Sequence, residues 1–150
     1  MHTTFAILLG LGLLHSGPAE SRCREMDLSH LAELLYDRVD PRGQSQAALL
    51  LVQSDEAAAD KIVRQGLRQS ENEETFLALA GAVRLRQDVR FLDDLMAALV
   101  ANRPRLRQVV AETLAVLPHS DLVKRLQAVA ADARADVRLR QTAAWTLGRC

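Results

Sequence analysis

The chain has 150 residues, a net charge of zero from 19 basic and 19 acidic side chains, and only 3% aromatic residues. That length can bury one sizeable core. The charge balance excludes the positive global field expected of a protein that binds nucleic acid or an anionic membrane. Ala and Leu dominate the apolar positions and seven glycines and four prolines are spread thinly, so the composition predicts an all-helical fold with short connections.

The chain opens on an unbroken apolar run from Phe5 to Leu14, followed by His15-Ser16-Gly17-Pro18-Ala19 and then by the charges of Glu20 and Arg22. This is the order of a secretory signal peptide over residues 1–19, with cleavage expected after Ala19 and a second site after Ser21. The run is shorter than the roughly 20 residues of a membrane-spanning helix, so no transmembrane span is expected. Glu20-Ser21-Arg22 ahead of Cys23 is unlike the aliphatic and small residues of a lipoprotein anchor. Export to the periplasm or the medium is the expected localisation.

Residues 24–39 carry Leu28, Leu31, Leu34 and Leu35 behind Asp27, a candidate N-cap. That spacing predicts an amphipathic helix. Residues 20–39 are accordingly assigned to a capping helix over the first repeat of an array.

From residue 40 the chain repeats itself. Arg105–Leu114 returns 33 positions later as Arg138–Leu147 with seven of ten residues identical. Such a period without strand signals predicts a helical array whose units cannot bury their apolar faces alone. Pro and polar clusters at Asp40-Pro41, Ser70-Glu71-Asn72-Glu73, Arg103-Pro104 and Pro118-His119-Ser120-Asp121 mark helix starts. First helices are predicted near 41–53, 73–85, 104–117 and 136–149, and second helices near 55–69, 88–101 and 120–132. In the second helices Phe91, Leu92, Leu95 and Leu99 recur 31 positions later as Leu122, Val123, Leu126 and Ala130. In the first helices the recurring element is Ala-x-x-Leu, at Ala48/Leu51, Ala111/Leu114 and Ala144/Leu147, with Ala80/Val83 as the loosest copy. A small residue there permits close helix approach, and the aliphatic residue one turn later fills the gap.

Asp136-x-x-Leu139-Arg140-x-x-Ala143-Ala144-x-x-Leu147-Gly148 resembles the first-helix motif of HEAT repeats, in the short form of the phycobilisome-lyase type. The resemblance covers residues 40–150, closest in the fourth copy, fair in the third and degenerate in the first two. It implies a right-handed α-solenoid of about three and a half helix pairs, the last incomplete. It also implies a ladder of charges between repeats that Asp136, Arg107 and Arg140 could form, with Thr75-Phe76 standing where an aliphatic-Arg pair is expected. A tetratricopeptide array is the nearest rival, but Trp145-Thr146-Leu147-Gly148 sits at a helix end and the spacing drifts between 31 and 33. The last helix has no second helix after it, so the array is expected either to be the N-terminal part of a larger protein or to cover its open face by self-association.

In an oxidising compartment two cysteines invite pairing. The ends of such a stack should lie about 30 Å or more apart at about 8–10 Å per helix, far beyond the roughly 7 Å that a disulfide spans. Cys23 and Cys150 are therefore expected free or paired outside this chain. Neither has a Cys or His at ligand spacing, and no metal or cofactor is expected.

Catalytic patterns are likewise not expected. His30 and His119 fall in different elements, and His2 and His15 in the signal peptide. The adjacent carboxylates Glu73-Glu74 and Asp93-Asp94 would point apart on a helix. Phosphate-loop, nucleophile-elbow and His-Glu signatures do not occur. Trp145 is expected as partial core, and Arg84, Arg86 and Arg90 as a solvated turn rather than an anion grip.

What remains is a surface. HEAT-like solenoids usually present their second helices on the concave side, so the resemblance makes Arg64, Arg68, Asp93, Asp94, Lys124 and Arg125 the candidate partner-binding residues. Their alternating signs favour a protein partner of mixed charge over nucleic acid or lipid. The expected function is a non-enzymatic protein–protein interaction or scaffold module. The alternative implied by the resemblance is a bilin lyase or chaperone-like protein of the phycobilisome-lyase class.

Overall fold

The computed structural model describes residues 28–69, 71–101 and 104–150. The signal-peptide run, the Asp27 cap and Cys23 lie outside the described residues. Among the described residues the chain is all-helical, with eight α-helices and one 3-10 turn and no strand. No described helix is long and apolar enough to cross a membrane.

A first helix, α1, covers residues 28–36. It is followed by α2 (Pro41–Gln53), α3 (Ala57–Arg68), α4 (Glu73–Arg86), a 3-10 turn at Val89–Phe91 running into α5 (Leu92–Val100), α6 (Pro104–Leu114), α7 (Ser120–Ala131) and α8 (Val137–Leu147).

The helix starts are built from local chemistry. Asp40 caps α2 by accepting from the backbone amides of Arg42 and Gly43, with Pro41 at the first helical position. Asn72 accepts from the Thr75 amide at α4, the imidazole of His119 from the Asp121 amide at α7, and Asp136 from the Arg138 and Leu139 amides at α8. At the end of α4, Gln87 takes the left-handed conformation (φ 51°), which lets the next amide bond back to Val83 and turns the chain.

Two predicted spans change. Residues 88–101 are not one helix: Asp88 caps a 3-10 turn by accepting from the Arg90 amide, and the α-helix starts only at Leu92. α6 stops at Leu114 rather than 117, because the amides of Val116 and Leu117 bond three residues back, to Thr113 and Leu114.

α2 packs on α4, α4 on α6 and α6 on α8, while α3 packs on α5; between neighbours in the chain, α3 pairs with both α2 and α4, α5 with α6 and α7 with α8. Counting from the first helical residue, positions 8 and 11 hold Ala48/Leu51, Ala80/Val83 and Ala111/Leu114, and all six are buried. Phe76 and Phe91 are the largest fully buried side chains of the core, joined by leucines that include Leu35, Leu79 and Leu95. α3 approaches α4 closely at Gly66, where a methyl group would collide with Leu79 Cδ1.

Candidate functional site

The predicted surface residues lie on α3, α5 and α7, and most of them are already engaged with each other. Asp94 has a fully buried side chain held by two arginines: Arg64 Nη1 donates to Oδ2 at 2.6 Å and Arg68 Nε to Oδ1 at 2.7 Å. Both arginines come from α3, so the buried carboxylate ties α3 to α5 across a sequence distance that no local pattern reveals. Arg64 also donates from Nη2 to the carbonyl of Arg90 at 2.9 Å and stacks over Phe91 with its guanidinium 5.3 Å from the ring centre.

Asp93, one residue earlier, points the other way and is exposed. It accepts from Arg125 Nη1 at 2.7 Å, linking α5 to α7. This pair sits in water, where such contacts contribute at most about 1 kcal/mol. Lys124 is exposed and carries no ion pair among the described residues. Arg68 is two-thirds exposed and uses only Nε for Asp94, which leaves both terminal nitrogens without a partner among the described residues. Asp94 is thus a buried strut, whereas Arg68 and Lys124 keep donors without a partner among the described residues. Lys61, with its exposed side chain on α3, joins them.

Arg90 is the largest departure from the sequence reading. Instead of belonging to a solvated turn it closes a five-acceptor brace. Nη2 donates to the Val52 carbonyl at 2.7 Å and Nη1 to the Ser54 carbonyl at 3.1 Å, satisfying the end of α2. Nη1 also reaches Asp60 at 3.0 Å, and Nε and Nη2 clamp Asp88. Burial works to raise the Asp88 carboxyl, but hydrogen bonds from the Arg90 side chain and amide, with the charges of Arg90 and Arg86, hold it below the usual carboxylate range. The Asp88 hydrogen bond in turn raises Arg90. The only sequence signal was the Asp88-x-Arg90 spacing; the carbonyls come from 36 and 38 residues upstream.

Arg84 behaves as an ordinary surface link, with Nη1 3.3 Å from Glu112 of α6. His30 is exposed beside Glu33, and the described residues contain no group of three or more His, Cys, Asp or Glu arranged to hold a metal.

Between α6 and α8 lies an open groove of about 590 Å³ lined by Gln108, Ala111, Arg138, Gln141, Thr142 and Trp145. Trp145 is 42% exposed and stacks with Arg149, 4.4 Å from its ring centre, so it is a groove wall more than core. At the chain's last described residue the Cys150 thiol donates to the Thr146 carbonyl at 3.3 Å, and burial pushes its titration up, away from a reactive thiolate.

One rung of the expected charge ladder is present. Arg107, buried in α6, donates from Nη1 to Asp136 Oδ2 at 3.1 Å, so the cap of α8 is also the anchor of α8 on α6. The Asp136 carboxyl is lowered chiefly by the Arg138 amide, against desolvation and with help from Arg107. At the equivalent position in α2 a neutral pair takes over: Gln44 donates to the Leu35 carbonyl at 2.8 Å and to Thr75 at 3.3 Å, and Thr75 donates to the same carbonyl. Phe76 occupies the equivalent place in α4 as a buried aromatic. No known protein-family model matches the sequence, and no curated protein matches it significantly.

Proposed function

We propose that the chain is a non-enzymatic protein–protein interaction module, built from HEAT-like repeats stacked as an α-solenoid and belonging to an exported protein. The observation that carries this reading is the recurrence in space of what recurs in sequence. First helices pack in chain order, α2 on α4 on α6 on α8, with positions 8 and 11 buried in α2, α4 and α6 and the cap of α8 pinned by Arg107. Such a stack supports an extended surface more naturally than an enclosed pocket.

The surface it offers is that of α3, α5 and α7, where Lys61, Arg68 and Lys124 hold unused donors around the internally paired Asp93 and Asp94. A protein partner presenting carboxylates among other polar groups meets those donors, and charged contacts of this kind set specificity and association rate more than affinity.

The experiment is affinity capture with immobilised wild-type chain against a Lys61→Glu, Lys124→Glu double variant. Both lysines are exposed, so the variant should fold normally. A protein retained by the wild type and lost by the variant is the expected result. Equal retention by both overturns the reading of this surface, and a visible absorbance change on mixing with a bilin would overturn the non-enzymatic reading in favour of the lyase class.

A further inference from the structure

The charge ladder has two unused halves at opposite ends of the molecule. Arg140 of α8 stands where Arg107 stands in α6, 33 residues earlier, yet it has no carboxylate partner among the described residues and its buried Nε has no acceptor. Asp40 of α2 stands where Asp136 stands at α8. It caps its helix in the same way, accepting from the second and third helical amides at 3.1 and 3.0 Å, but both bonds fall on Oδ1 and no arginine reaches it among the described residues.

The apolar surfaces around these groups are split in the same way. The face of a first helix that receives its successor uses positions 4, 8 and 11. Gln44, Ala48 and Leu51 are buried there, as are Phe76, Ala80 and Val83, and Arg107, Ala111 and Leu114. In α8 the same face is open: Ala144 is exposed, and Arg140 and Leu147 are half-buried. Beside it Val123 of α7 is 39% exposed, where its counterpart Leu92 of α5 is covered. The opposite face, which meets the predecessor, uses position 10. Ala82, Thr113 and Thr146 are buried there, but Leu50 of α2 is 44% exposed.

We infer that the chain associates head to tail with a second copy of itself: α2 of one copy seats on α8 of another, Asp40 accepts from Arg140, and Leu50 lies over Ala144 and Leu147. The docking repeats the α6–α8 contact already present within each molecule, with Asp40–Arg140 replacing Asp136–Arg107. Such a contact is heterologous, so each added copy leaves a new Arg140 and a new Asp40 at the ends and growth continues past the dimer. A symmetric dimer through α8 alone would bring two arginines together, since α8 contains no acidic residue.

The inference rests on the stacked-repeat reading above but not on the second-helix surface, so its failure leaves the Lys61 and Lys124 experiment to decide that reading separately. Sedimentation velocity on the full chain in reductant, where neither cysteine can link copies, is the test. The weight-average mass should rise with concentration beyond that of a dimer. Asp40→Asn keeps the capping acceptor and removes only the charge, and Arg140→Gln removes the other half; each should weaken association about tenfold or more. An equimolar mixture of the two variants should form a one-to-one dimer and stop, because only one intact Asp40 and one intact Arg140 can meet in it. A wild-type mass that stays monomeric, one that stops at a dimer, or one that rises equally in both variants overturns the proposal.

Discussion

The two halves of the molecule are reinforced in opposite proportion to how regular their sequences are. The segment α2–α5 is the less regular in sequence, yet it holds the Arg90 brace, the strut from Arg64 and Arg68 to buried Asp94, the Gln44–Thr75 link and both buried phenylalanines, Phe76 and Phe91. The segment α6–α8 carries the two near-identical copies, yet only Leu122 and Leu126 of α7 are buried, and α7 meets α5 through the exposed Asp93–Arg125 pair. In this chain the less regular sequence goes with the more specific bracing. Thr75 and Phe76 stand where α6 and α8 carry a Leu-Arg pair, and Thr75 donates to the Leu35 carbonyl while Phe76 is buried.

The largest expected effect lies inside the C-terminal half, between α6 and α8. Ala111, 1% exposed and facing α8, tolerates no charge: Ala111→Asp should cost at least about 3 kcal/mol by burying an unpaired carboxylate, read as loss of the cooperative thermal transition. An unchanged midpoint would show that the helix phase is wrong. Next in size, Arg90→Ala should cost about 3 kcal/mol in denaturant unfolding, since it strands the Val52 carbonyl and two carboxylates at once. Asp94→Ala should cost about 2 kcal/mol by the same measurement, because the hydrogen bonds of two arginines are lost together.

Acid sharpens the contrast further. Asp88 is held below its usual range in the folded state, so its stabilisation is present above the unfolded carboxylate value of about 4 and is lost as pH falls through the folded value. Thermal midpoints measured from pH 6 to pH 2 should therefore fall less steeply in Asp88→Asn than in the wild type. The smallest effect also lies in the C-terminal half. Arg125→Ala should change stability by less than about 1 kcal/mol.

The sequence disclosed helix starts well and long-range polar contacts poorly. Pro41, Asn72, Pro104 and Asp136 announce helices because capping involves only the next three residues. The end of α6 was misplaced because Leu117 remains buried after the helix has stopped, so its apolar character imitates continued periodicity. The sequence alone does not separate Asp94 from its exposed neighbour Asp93, because both are acids on one helix. What separates them is Arg64 and Arg68, 30 and 26 residues away. Arg90 was misread for the same reason, its acceptors lying at the end of α2. Arg107 and Asp136 were legible as a pair only through the motif's resemblance to a repeat family, not through their own spacing.

Native-state hydrogen exchange resolved by helix tests the unequal bracing most directly. The account predicts that amides of α3, α4 and α5 exchange only through global unfolding, while those of α7 and α8 exchange through a local opening of lower free energy. Equal protection across all helices, or stronger protection in α7 and α8 at concentrations where the chain is monomeric, would contradict it.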